Sequence, residues 1–164
     1  MSATAEHLSA EVLVFEIAGW RYGIPASDVR ELLRSVTVTP LPNAPAAVEG
    51  LVNVRGAVIA VLDLRKRLGL PAKALDPADH FVLARTGGRD VVLRVDRALD
   101  VLQVPPEDIE NVRKIALTEG FLAGVAKLAD GLVLIHDLGR FLSSAEALAL
   151  DMAMAQAQSA PQVH

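Results

Sequence analysis

The feature that most constrains the fold of this chain is an internal repeat. Gly50 is followed after thirteen residues by the Asp-Leu pair at Asp63, and Gly124 is followed at the same distance by the Asp-Leu pair at Asp137. An apolar segment typical of a hairpin precedes each of these stretches. The chain therefore reads as two copies of a mostly β unit of roughly sixty residues, and units this small usually close into barrels that hide their edges. A single larger sandwich, in which the similarity is accidental, is the alternative.

Composition indicates a folded chain with an aliphatic core. Hydrophobic residues make up 52% of the 164 residues, but aromatic residues only 4%. The core must therefore be built from Val, Leu and Ile, and a disordered chain is excluded. Sixteen basic residues against twenty acidic ones leave a net charge of −4, which gives no attraction for a phosphate backbone. Nucleic acid is not expected as a partner.

Residues that carry chemistry are few and scattered. The chain has no cysteine, which excludes disulfides, thiolate metal sites and Cys nucleophiles. No serine lies in a Gly-x-Ser-x-Gly elbow. The four histidines lack the short spacing of metal ligands; they are His7, His80, His136 and His164. We expect no metal, no cofactor and no enzymatic activity, and a catalytic group drawn from Asp63, His136 and Asp137 is the less favoured alternative.

No segment predicts membrane insertion or secretion. The residues Met1 to Glu11 lack a basic start followed by an apolar run, so no signal peptide is expected. The long uncharged stretch Ser35 to Val48 is broken by three prolines and is too short to span a bilayer. We expect a cytoplasmic protein.

Local patterns predict strands in most of the chain and helices in two places. An Asp28–Glu31 capping box after Pro25 predicts a short helix that carries Val29 and Glu31. Residues 145–164 are rich in Ala, Leu, Met and Gln, which predicts a C-terminal helix that frays past Met154 into a tail.

Arg55 is the most distinctive charged residue. It stands in Asn-Val-Arg-Gly, just before the uncharged run from Gly56 to Leu62, which has the length of a buried strand. It is either a solvated turn residue or half of a salt bridge, or else a recognition arginine, since a planar guanidinium suits interfaces better than an ammonium. The pattern by itself favours the structural interpretation.

Short motifs follow one another in a characteristic order and spacing between Glu11 and Leu150. The set comprises Phe15, Tyr22-Gly23-Ile24-Pro25, Val29-Arg30-Glu31-Leu32, Pro42 to Pro45, Gly50-Leu51-Val52-Asn53-Val54-Arg55-Gly56, Asp63-Leu64-Arg65, Leu68-Gly69, Val95-Asp96, Gly124 and Asp137-Leu138. In this order and spacing the chain resembles the CheW-type coupling proteins of bacterial chemotaxis.

The resemblance implies a mainly β fold of two small five-stranded SH3-like barrels, with short helices and a C-terminal helix. It implies a single CheW-like domain over residues 11–150, made of barrel subdomains at about 11–70 and 80–144. It also implies a non-enzymatic adaptor that binds the regulatory domain of the histidine kinase CheA and the cytoplasmic hairpin tip of a chemoreceptor. Such an adaptor is recruited to membrane-associated receptor arrays. A paralogue that serves a different array, for pili, gliding or development, has the same motifs.

The resemblance also assigns residues. Receptor contacts fall at Val29, Glu31 and Arg55, and kinase contacts at Val36 and Leu41. One departure concerns the loop after Ile109, where some members carry an Arg and a Phe that close receptor–kinase rings. Here Glu110 follows Ile109, Val112-Arg113-Lys114 replaces the expected Phe region, and the loop is shorter. Ring closure by that route is not predicted.

Overall fold

The computed structural model describes residues 10–111 and 122–159. These residues form eleven strands and two α-helices. The strands are β1 Ala10–Ile17, β2 Trp20–Pro25, β3 Val29–Arg34, β4 Val48–Val54, β5 Ala57–Leu62, β6 His80–Thr86, β7 Arg89–Val95, β8 Arg97–Val104, β9 Ile109–Asn111, β10 Leu122–Leu128 and β11 Gly131–His136. The α-helices are α1 Leu64–Leu68 and α2 Ser144–Ser159, and single 3₁₀ turns lie at Ala26–Asp28, Pro106–Asp108 and Leu138–Arg140.

The strands form two sheets with matching layouts. Sheet I has the order β8-β1-β2-β11-β10-β9, and sheet II has the order β3-β6-β7-β5-β4. Each sheet holds one parallel pair at its centre, β2 with β11 in sheet I and β5 with β7 in sheet II. The other pairs are antiparallel. The predicted mainly β fold, with few helices, is confirmed.

The two halves of the chain exchange their first hairpins. The β1–β2 hairpin pairs with strands of the second half, and the β6–β7 hairpin pairs with strands of the first half. Neither sheet therefore coincides with the predicted segments 11–70 and 80–144. Each hairpin pairs on both sides with strands of the other half: β1 with β8 and β2 with β11, and β6 with β3 and β7 with β5.

The core lies mainly between the two sheets. Its largest cluster takes residues from both sheets and from α2, among them Phe15, Leu93, Phe141 and Leu150, each 1% exposed or less. A smaller cluster covers the opposite face of each sheet, with Val14 in sheet I and Phe81 in sheet II. Since the strands at the centre of each sheet bury both faces, their sequences read as continuous apolar runs.

An ionic clasp joins the sheets where the chain crosses between them. Asp96 is the single residue between β7 of sheet II and β8 of sheet I. Its carboxylate accepts hydrogen bonds from Arg65 of α1 at 2.8 and 2.9 Å and from the backbone N–H of Ala18 at 2.8 Å. Burial raises the pKa of Asp96, but the bonds from Ala18 and Arg65 outweigh this and hold it below its usual value.

The predicted helix after Pro25 is wrong beyond its first turn. A single 3₁₀ turn covers Ala26–Asp28, and the chain then extends as β3, which carries Val29 and Glu31. Backbone pairing of β3 with β6 satisfies the groups that a helix would have satisfied internally. A local capping signal is worth only about 1 kcal/mol, so long-range pairing overrides it.

The C-terminal helix is present and runs to Ser159, five residues past Met154. Ser143 and Glu146 exchange the reciprocal hydrogen bonds of a capping box at its start, at 3.0 and 2.8 Å. Residues 160–164 lie outside the described residues. Within residues 10–111 and 122–159, no helix is long and apolar enough to cross a membrane.

Candidate functional site

Arg55 and Gly56 form the two-residue turn of the β4–β5 hairpin. Their φ angles are +50° and +91°, the left-handed conformation that a type I′ turn requires at both positions. Asn53 stabilises the turn because its side-chain oxygen accepts a hydrogen bond from the backbone N–H of Gly56 at 2.7 Å. An arginine with positive φ is uncommon, so the turn presents this side chain at some conformational cost.

Arg55 reaches across the end of sheet II to Glu31. Its two terminal nitrogens donate to the two carboxylate oxygens of Glu31 at 2.5 and 3.2 Å, a bidentate pair. β3, which carries Glu31, and the β4–β5 hairpin, which carries Arg55, lie at opposite ends of the sheet order, so the ion pair joins two elements that are not hydrogen-bonded neighbours. The hydrogen bonds and the charge of Glu31 raise the pKa of Arg55. The sequence placed both residues in one site, and the structure brings them together.

The pair is open to solvent. The Arg55 side chain is 66% exposed and that of Glu31 is 40% exposed. An ion pair this exposed stabilises a fold weakly, because water screens it. Val29 lies two residues before Glu31 on the same strand, but it is only half-buried and packs against the core between the sheets.

A groove beside the turn is lined mainly by apolar side chains. It has a volume of about 570 Å³ and lies on the β4–β5 side of sheet II, and its lining residues are Val36, Thr37, Thr39, Leu51, Val52, Asn53 and Val58. Val36 is 49% exposed and Val58 is 52% exposed. Asn53 belongs both to the groove and to the Arg55 turn, so the two features are continuous.

Leu41 does not belong to this surface. It is 8% exposed and lies in the core between the sheets. Its assignment to a partner surface is therefore corrected. The structure shows why it was misplaced: Thr39 pairs with Leu51 through two backbone hydrogen bonds, and the chain beyond Thr39 then turns inward.

Several exposed apolar residues escaped the sequence analysis. They are Val58 in the groove, Leu32 on β3, and Leu99 and Val101 on β8. Leu32, Leu99 and Val101 lie on edge strands, which pair on one side only. The alternation Arg30-x-Leu32-x-Arg34 was the available signal, but it was hidden by the helix prediction for the same segment.

The three residues considered as an alternative catalytic group each make contacts that stabilise the fold. His136 is buried and stacks on Tyr22 with ring centroids 5.5 Å apart. Asp137 and Asp63 each cap the turn that follows them: Asp137 accepts from the backbone N–H of Gly139 at 2.9 Å, and Asp63 accepts from that of Lys66 at 3.1 Å. Across residues 10–111 and 122–159, no group of three or more acidic or histidine side chains could hold a metal ion.

Comparison with known proteins decides the family. The model of the CheW-like domain matches residues 11–146. The chain belongs to the CheW-like family. The chemotaxis protein CheW of Rhizobium meliloti (strain 1021) is 30% identical over 151 residues, which cover 89% of this chain and 97% of that protein.

Other CheW-like proteins agree in structure and in sequence. The crystal structure of the scaffolding protein TtCheW from Thermoanaerobacter tengcongensis superposes with a TM-score of 0.76 at 28% identity, covering 84% of this chain and 95% of that one. Protein FrzA of Myxococcus xanthus is 31% identical over 99 residues, which cover 60% of this chain and 62% of that protein. The departure from the CheW-like pattern at Val112-Arg113-Lys114 lies outside the described residues.

Proposed function

We propose that this protein is a non-catalytic adaptor that couples chemoreceptors to the histidine kinase CheA in chemotaxis signal transduction. Its membership in the CheW-like family carries the proposal, together with relatives that are named chemotaxis protein CheW and scaffolding protein. The receptor binds as a cytoplasmic helical hairpin tip, and the kinase binds through its regulatory domain. The adaptor works in the cytoplasm at membrane-associated arrays.

The receptor surface is centred on Glu31 and Arg55, beside Val29. Support comes from the exposure of the ion pair, which contributes little to the fold and yet is held in a bidentate arrangement on a strained turn. A turn that fixes an arginine in one orientation reduces the conformational entropy that the side chain loses on binding.

The kinase surface is the apolar groove that contains Val36. Two valines about half exposed, on a groove continuous with the Arg55 turn, suit a partner that buries apolar side chains there. Val58 takes the place that Leu41 had in the sequence-based assignment, because Leu41 is buried. The groove and the Arg55 turn are continuous, so in this proposal both partners bind sheet II, close enough for one to sense the other.

Reconstitution of receptor, kinase and adaptor tests the two surfaces separately. Arg55→Ala should abolish receptor control of kinase activity and leave kinase binding intact, whereas Arg97→Ala should leave both intact. Arg97 is a matched control because it is an exposed arginine in a long ion pair with Glu16 on sheet I. If Arg55→Ala retained full receptor control, the receptor surface would lie elsewhere.

Calorimetry tests the groove. Val36→Glu and Val58→Glu should each raise the dissociation constant for the kinase regulatory domain at least about tenfold, since a charge would enter an apolar contact. Leu148→Glu, at an exposed position on α2, should have no effect. Unchanged binding by both groove variants, with melting curves like that of the wild type, would show that the kinase docks elsewhere.

An adaptor for another chemosensory array is the second candidate. The similarity to protein FrzA of Myxococcus xanthus supports this second candidate. A pull-down from the native cytoplasm, with mass spectrometry of the bound proteins, separates the candidates: a flagellar chemotaxis kinase supports the first and a different array's kinase supports the second.

A further inference from the structure

Strand β3 presents two arginines on either side of an exposed leucine. Arg30, Leu32 and Arg34 alternate along the strand and all three are exposed, with Leu32 at 50%. Within residues 10–111 and 122–159, neither arginine makes a side-chain hydrogen bond or an ion pair. Most other arginines in that part of the chain are paired with carboxylates, and the chain as a whole is acidic.

The position of the two arginines makes them available to a partner. β3 is an edge strand of sheet II, paired only with β6. Leu32 and Arg34 stand opposite Val82 and His80 of that strand, and Arg30 is the extra residue of a β-bulge between Val29 and Glu31. Two unpaired cations beside an apolar contact favour a partner with carboxylates that flank an apolar side chain.

We propose that β3 binds an acidic amphipathic helix, with Arg30 and Arg34 each pairing with a carboxylate and Leu32 contacting an apolar residue between them. This rests on the proposed function, in which the receptor presents a helical hairpin at β3; Arg30, Leu32 and Arg34 lie on the face of the strand opposite to Glu31, so they form a second contact for that hairpin. It defines the chemistry of the segment recognised: an acidic residue, an apolar residue one turn later, and a second acidic residue two turns after the first.

The spacing fits a helix. Arg30 and Arg34 lie about 13 Å apart along an extended strand, at roughly 3.3 Å per residue. Two residues separated by two helical turns lie about 11 Å apart on the same face, and side-chain length covers the difference. An added β-strand fits less well, because the bulge at Arg30 interrupts the regular spacing of backbone groups along this edge.

The test compares the wild type with Arg30→Glu/Arg34→Glu in binding to a chemoreceptor cytoplasmic fragment. The double variant should bind about tenfold more weakly at low salt, and the difference should shrink in high salt because exposed charges are screened. Lys66→Glu is the matched control: Lys66 is an exposed cation on α1 without a side-chain partner in the described residues, and its reversal should change affinity less than about twofold.

Two synthetic helices make the test independent of the receptor. One carries Glu, Leu and Glu at this spacing, and the other has Gln in place of both Glu residues; the first should bind the wild type and the second should not. If the receptor fragment binds the wild type and both variants equally, the inference is overturned while the proposed function stands. If the fragment binds none of them, the proposed function itself fails. Binding to anionic phospholipid vesicles in place of the Glu helix would also overturn the inference.

Discussion

The two hairpins β4–β5 and β10–β11 occupy equivalent places in the two sheets, and their differences separate architecture from function. In both, a glycine thirteen residues before an Asp-Leu pair lies against the backbone of the antiparallel segment that pairs with its strand. A Cβ on Gly50 would lie 2.3 Å from the carbonyl oxygen of Thr39, and one on Gly124 would lie 3.0 Å from that of Glu110. Asp63 and Asp137 then cap the next turn in each half. What the halves share is needed to build the sheets.

The turns of the two hairpins differ in charge and in partner. Arg55 pairs with Glu31 of an edge strand and is largely exposed, whereas Asp130 in the equivalent turn pairs with Arg21 of the central strand β2 at 3.2 Å. A side chain that only one of two equivalent turns carries is not required by the fold. The internal repeat thereby acts as a control: the Arg55 turn is not part of what the two halves share, which supports the proposed receptor surface there.

Charge swaps at the two ion pairs should show the difference between the two turns most clearly. Arg55→Glu with Glu31→Arg should keep the melting temperature close to that of the wild type but should abolish receptor control of the kinase, because the proposed receptor surface requires the guanidinium at that turn. Arg21→Asp with Asp130→Arg should preserve both properties. Recovery of receptor control in the first swap, measured in the reconstituted system, would reduce Arg55 to a scaffold residue.

Alanine substitutions at the two glycines should show unequal stability losses. Gly50→Ala should destabilise the fold by about 3 kcal/mol, since the added methyl collides with backbone that cannot move without breaking the Thr39–Leu51 hydrogen bonds. Gly124→Ala meets looser contacts and should cost about 1 kcal/mol. Urea unfolding measures both, and equal losses would contradict the geometric ranking.

The clasp at Asp96 should make the stability of the fold depend on pH. Because the folded state holds the pKa of Asp96 below its ordinary value, the stabilisation is complete above about pH 5 and is lost as the pH falls through the ordinary value toward the folded one. Asp96→Ala should cost about 2 kcal/mol near neutral pH, since it leaves Arg65 buried without its carboxylate.

Measuring the free energy of unfolding at two pH values tests this contribution of Asp96. The stability gap between the wild type and Asp96→Ala, measured by urea unfolding, should narrow at about pH 3 relative to pH 7. If the difference in the free energy of unfolding between the two proteins were the same at both pH values, Asp96 would act by packing and not by charge.

The smallest loss of stability should come from replacing the capping aspartates, which occur in both halves. Asp63→Ala and Asp137→Ala each remove one capping hydrogen bond and should each cost about 1 kcal/mol. Receptor control and kinase binding should persist in both variants. Loss of coupling in the Asp63 variant alone would extend the proposed receptor surface to the base of the β4–β5 hairpin.

The sequence by itself determined the elements whose hydrogen bonds are local. The β1–β2 and β6–β7 hairpins could be predicted because turn residues and alternating apolar residues are close together in the chain. The repeat of Gly50 and Gly124 with Asp63 and Asp137 was equally visible. Membership in the CheW-like family could also be predicted, from the order of the motifs alone.

Only the tertiary structure decided which strands pair across the two halves. The exchange of hairpins, the extension of Val29–Arg34 as an edge strand and the burial of Leu41 all depend on contacts between residues distant in the chain. Glu31 and Arg55 likewise meet although their strands lie at opposite ends of the order of sheet II. Local propensities differ by about 1 kcal/mol or less per residue, so the burial of a shared core overrides them wherever the two disagree.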